Sequence, residues 1–223
     1  MRRLVLALIL PSLALSACVT HSPAVPVVAI EAVEPEPTGW RALVSPQDMT
    51  RLAMLPMMWT RARAAVPRRQ QAKLRAETEL VDPAAALELS APPPGPYRCR
   101  LLRFSGRAGF VTFPPDFCYV DGGADGLSFT KQTGENLPGG WLHPDTPTRH
   151  VFLGATPKPG AKGVPLYGAD PARDVAGVVE RVSPFRWRLV LARPGRGSLL
   201  DIYELVPVTP EVPGATPAVP ARD

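Results

Sequence analysis

The chain has 223 residues and a formal charge of +5, with its cationic side chains scattered rather than clustered, which argues against a nucleic-acid partner. That length suits one globular domain with extended ends, or two small domains. Proline is over-represented, 29 in all against a usual share of roughly 5%, but it gathers at the two ends and in loops and leaves a centre able to fold.

Arg2 and Arg3 open the chain and an apolar run follows over residues 4–15, interrupted only by Pro11 and Ser12. A positive start, an apolar stretch and small residues before a cysteine make a secretory signal peptide over residues 1–17. The stretch is shorter than the roughly 20 apolar residues of a spanning helix. Leu15-Ser16-Ala17-Cys18 resembles the bacterial lipobox, in which the cysteine becomes the acylated first residue of the mature chain. The resemblance implies a lipid anchor at Cys18, palmitate among its acyl chains, and membrane attachment through that anchor. Because Val19 rather than aspartate follows Cys18, it also implies the periplasmic face of the outer membrane. Residues 18–39 then read as a proline-rich tether, extended and without a helical period.

A helical segment is expected over residues 40–95. Ser45-Pro46-Gln47-Asp48 is a helix start, with Ser45 as N-cap, Pro46 at the first helical position and Asp48 beside the free amides. Leu52, Leu55, Trp59, Ala62 and Val66 recur at steps of three and four and share one face. Pro56 must kink that helix or begin a second one. Residues 68–80 are rich in helix formers, and Asp82-Pro83 predicts a short helix over residues 84–89.

From Tyr97 the period becomes two. Tyr97, Cys99 and Leu101 fall on one face, and Trp187, Leu189 and Leu191 on one face of a later strand. Residues 121–126 are turn-rich and predict a hairpin, and Ser183-Pro184-Phe185 predicts another. The last strand, over residues 199–206, is apolar on both faces, which places it centrally or beneath the helices. About eight short strands without intervening helices, over residues 96–207, predict an antiparallel barrel or sandwich. The fold class is therefore α+β, two to three helices packed on that sheet, with a disordered tail over residues 208–223.

With Cys18 acylated, Cys99 and Cys118 remain as an even pair in a compartment that permits disulfides. A bridge would close a loop of about 20 residues and stabilise by roughly 3 kcal/mol; the alternative is two separate buried thiols. Few groups remain for chemistry. His21, His143 and His150 are too few for a zinc site even with Asp145 near, so no metal and no cofactor is expected. No serine has a nucleophile-elbow setting, and no catalytic residue is assigned. Glu180 is expected against Arg188, and Arg98 or Arg100 against Asp201 or Glu204, as cross-strand ion pairs. Lys131, Tyr167, Arg173 and Asp174 are the candidate lining of a pocket at the barrel mouth, for an anionic or sugar-like group.

Pro96-Tyr97-Arg98-Cys99-Arg100, Phe117-Cys118, Phe129-Thr130-Lys131-Gln132-Thr133-Gly134, Arg173-Asp174-Val175-Ala176-Gly177, Arg186-Trp187-Arg188-Leu189-Val190 and Leu200-Asp201-Ile202-Tyr203-Glu204 resemble a family of exported alphaproteobacterial proteins, domain-of-unknown-function family 4893. The resemblance spans roughly residues 40–207 and implies no activity. Taken together, the residues point to an envelope lipoprotein acting as a non-enzymatic binding or assembly module, with an envelope protein or peptidoglycan as partner. The alternative is an enzyme acting on cell-wall saccharide, or an inhibitor of a wall hydrolase.

Overall fold

A computed structural model describes residues 37–135, 137–161, 163–192 and 198–208. The expected signal peptide, the acylated Cys18, nearly all of the tether, His21 and the tail beyond residue 208 lie outside the described residues.

Three helices come first: α1 (Pro46–Ala53), α2 (Leu55–Ala64) and α3 (Gln71–Arg75). Ser45 caps α1, its hydroxyl accepting from the Asp48 amide at 3.2 Å. Pro56 divides α1 from α2 and sits in the first turn of α2, where a missing amide leaves no bond unmade. Leu55, Trp59, Ala62 and Val66 are buried together, as their spacing predicts.

Eight strands follow: β1 (Gly95–Ser105), β2 (Gly109–Gly123), β3 (Gly126–Lys131), β4 (Gly139–Thr146), β5 (Arg149–Ala155), β6 (Asp174–Ser183), β7 (Arg186–Ala192) and β8 (Ser198–Pro207). They close into an up-and-down antiparallel barrel in sequence order, β8 pairing back onto β1. Closure leaves the sheet without a free edge and settles the choice between barrel and sandwich. The interior is a single cluster drawn from all eight strands. It includes Tyr97, Cys99, Leu101, Phe129, Phe152, Leu189 and Tyr203. Alternate residues face outward. Leu102, Phe104, Val178, Val190, Leu200 and Ile202 form a second core with α2 and α3, so the doubly apolar last strand lies beneath the helices. Val151, Leu153 and Ala176 pack outward against Trp40.

Cys99 and Cys118 form a disulfide inside the barrel between β1 and β2, their Cα atoms 5.8 Å apart. Both residues are fully buried. We expect the Cys99→Ala/Cys118→Ala protein to lose about 3 kcal/mol of unfolding free energy, measured by urea titration. An unchanged midpoint would show that the bridge adds nothing to a barrel already closed by hydrogen bonds.

Residues 84–89 are not helical, contrary to expectation. The Asp82 carboxylate caps the Ala84 amide at 3.0 Å, but six residues are too few to sustain a helix alone. β6 extends past β5 and offers an unpaired stretch of backbone, and Leu87 pairs with Arg181 there. Leu89 is left with a φ of +60°. Residues 68–81 likewise break up, into α3 flanked by two 3-10 turns.

Candidate functional site

The four residues expected to line a pocket are placed as follows. Lys131 ends β3 and turns inward, 2% exposed. Its ammonium meets Asp116 Oδ2 at 2.7 Å and donates to the carbonyls of Thr133 at 2.6 Å and Glu135 at 2.8 Å. Those partners match its three protons and fasten the β3–β4 loop to the barrel. Tyr167, in the β5–β6 connection, donates to Asp48 Oδ2 at 2.7 Å and accepts from the Ser45 amide at 3.0 Å, tying that connection to α1. Burial is the main cause that pushes the phenol pKa up. Asp174 opens β6 and accepts from the Gly168 amide at 3.1 Å; burial first, then the nearby Asp48 and Asp170 carboxylates, raise its pKa. Among the described residues, the Arg173 side chain reaches the Pro157 carbonyl alone, at 3.4 Å. Tyr167 and Asp174 therefore sit close together beside α1. Among the described residues, no hydrogen bond or ion pair joins Lys131 to the other three.

Arg188 and Arg100 bind the helical layer to the barrel. Arg188, fully buried on the outer side of β7, donates to Glu180 Oε2 at 2.8 Å and to the carbonyls of Glu79 at 2.9 Å, Leu80 at 3.2 Å and Asp82 at 2.6 Å. Its guanidinium also lies 5.1 Å from the Trp59 ring centroid. Arg100 bridges Glu204 and Glu77. Of the expected pairs, Glu180–Arg188 and Arg100–Glu204 form. Asp201 instead takes Arg103, through two bonds of 2.7 Å, because the β1–β8 register sets those two residues opposite each other.

Residues 82–94 cross the other end of the barrel. The Leu87 amide donates to Arg181 O at 2.8 Å, the Ser90 amide to Pro147 O at 3.4 Å, and Tyr97 Oη to Pro93 O at 2.6 Å. Ser90 Oγ lies 2.9 Å from His150 Nδ1, a pair that sequence reasoning missed because 60 residues separate its members. The geometry suggests a nucleophile and its base, but Ser90 is only 1% exposed and closed off from substrate. No group of three or more metal-ligating side chains occurs among the described residues.

Burial depresses the pKa of His150, partly offset by Asp145, and that of His143, where His150 adds to the effect. Both imidazoles thus titrate below the ordinary histidine value of about 6.5, and the unfolded chain binds more protons as the pH falls through it. Stability should be full above about pH 6.5 and decline below it. The check is the urea midpoint between pH 8 and 5. The His143→Gln/His150→Gln protein should show a shallower decline; an identical one would exclude these histidines as the cause.

The outer faces of β1 and β5–β8 are packed under helices and connections, whereas β2–β4 stay more open. Phe117, Tyr119 and Trp141 project there, each 38% exposed. Tyr119 stands opposite Thr130, which pairs with Gly139, and Ser128 stands opposite Trp141. Beside Trp141 lies a groove of about 170 Å³, floored by Ser128, Thr130 and Gly139 and rimmed by Val164, Leu166 and Tyr167. Among the described residues, none that lines it is charged. A second hollow, of about 210 Å³, holds Arg103, Asp116, Lys131 and Glu135 at the barrel mouth, where the ion pairs already described occupy both cations.

Residues 40–205 match the family described as Domain of unknown function (DUF4893). The chain belongs to this family. Its matched region takes in the three helices and nearly the whole barrel, so family membership covers the groove and the ion-pair network alike. No curated protein and no solved structure matches the chain.

Proposed function

We propose that this protein is a lipid-anchored, non-enzymatic binding module of the bacterial envelope. It is held by acylated Cys18 at the periplasmic face of the outer membrane and presents the open β2–β4 face to an envelope partner. The observation that carries the reading is the division of labour among side chains. Lys131, Tyr167, Asp174 and Arg188 hold loops and helices to the barrel, while three large aromatic residues project from the face left open. Apolar aromatic surface exposed at one place is characteristic of recognition rather than of stability. The anchor is supported by the lipobox-like residues before Cys18.

A photo-crosslinking residue placed at Phe117 or Trp141 of the full chain in intact cells tests the face. Adducts are expected from these positions and not from Leu43 or Arg75, which are exposed on the helical side. Equal yield from all four positions would contradict the reading. Labelled palmitate tests the anchor: incorporation should disappear, with membrane association, in the Cys18→Ser protein.

A further inference from the structure

We infer that the groove beside Trp141 is a binding site for an uncharged, N-acetylated saccharide; this rests on the reading that β2–β4 is the binding face. The groove joins the two surfaces a sugar ring needs. The half-exposed Trp141 indole offers a flat π face to the C–H bonds of a pyranose. Ser128 and Thr130, half-buried on the floor, carry hydroxyls that both donate and accept, and neither is engaged by another group among the described residues. Among the described residues the lining has no charge to neutralise a phosphate, a carboxylate or an ammonium, so a charged ligand would lose solvation against them without compensation.

The rim adds selectivity. Leu166 is 73% exposed and stands with Val164 at the edge of the groove, an apolar contact suited to an acetyl methyl group. Gly139 keeps the floor low: a Cβ there would come within 3.0 Å of Val164, although its backbone does not require glycine. Tyr119, next to Thr130 on the far side of β3, extends the platform for further sugar units. An aromatic platform with a few convergent polar groups in an open groove suits a linear chain of sugars, bound by one ring at its centre.

Isothermal titration of the acylated full chain in detergent, with the β-1,4-linked tetramer of N-acetylglucosamine as probe, tests this. Binding is expected to weaken about tenfold or more in Trp141→Ala and several-fold in Thr130→Val, and to be unchanged in Leu43→Ser. Thr130→Val keeps its shape and serves if Trp141→Ala fails to fold. The glucose tetramer, lacking acetyl groups, should bind more weakly; equal binding would overturn the N-acetyl assignment. Absent binding of the N-acetylglucosamine tetramer, or equal binding by both groove variants and the parent, would overturn the site. If adducts from Phe117 persist while the sugar does not bind, the saccharide inference fails and the binding-module reading stands, with a protein as partner. If both are lost, both fail.

Discussion

Arg188→Met should lower the unfolding free energy by about 3–5 kcal/mol, among the largest effects open to a single substitution in this chain. The cost does not come from the ion pair as such, since a buried pair replaced whole by apolar groups can be neutral. It comes from what is left behind. Without the guanidinium, the carbonyls of Glu79, Leu80 and Asp82 lose their donor, and Glu180 keeps a carboxylate facing the position Arg188 held. An unsatisfied buried acceptor costs about 1–3 kcal/mol. Because those carbonyls close the helical layer, that layer should loosen from the barrel first, with faster amide exchange around residues 78–82 before the strands respond. Adding Glu180→Gln to Arg188→Met should recover part of the loss, because it removes the orphaned charge. An unfolding free energy for Arg188→Met, from urea titration, within about 0.5 kcal/mol of the parent, the range usual for a surface change, would place the helical layer's attachment elsewhere.

Gly154→Val should be as damaging, for a steric reason. A Cβ at Gly154 would stand 2.3 Å from the Gly139 carbonyl oxygen, and one at Gly140 would stand 2.3 Å from Gly154 Cα. These two residues pair across β4 and β5, and neither neighbouring backbone can withdraw without breaking the ladder. Overpacking of this kind costs about 1–3 kcal/mol where side chains can give way, and more where the obstacle is backbone. Poor accumulation of soluble protein and a depressed Tm are expected. Gly106→Ala is the control, since a Cβ there meets nothing within 4 Å. Equal behaviour of the two variants would mean that β4 and β5 separate without penalty.

Much of the fold is legible in the sequence because it rests on local period. Alternation at Tyr97, Cys99 and Leu101, and at Trp187, Leu189 and Leu191, identifies inward faces, and the stripe from Leu55 to Val66 identifies the buried side of α2. The first half of β2 is not legible. Pro114 and Pro115 break its alternation, and the irregularity opposite Arg100 and Leu102 resets the register. Residues 84–89 misled because Asp82-Pro83 is a sound start signal, overridden by the free stretch of β6 that Leu87 joins. The groove depends on contacts that no local pattern carries. Ser128 and Trp141 come from different strands, and Val164 and Leu166 from a connection over twenty residues later in the chain. Tyr167 alone of the four candidate pocket residues lines it. Lys131 and Asp174 look equally functional in sequence, because a charged side chain serving a loop carbonyl and one awaiting a ligand are spelled alike.

The separation of structural from recognition residues is most directly tested by measuring Tm and adduct yield together on one set of variants, with the photo-crosslinker at Phe117. In intact cells, Trp141→Ser should abolish the adduct and leave Tm unchanged, whereas Lys131→Met should lower Tm and leave the adduct per folded molecule unchanged. The reverse pattern, with Lys131→Met abolishing the adduct at full stability and Trp141→Ser retaining it, would return the binding site to the barrel mouth.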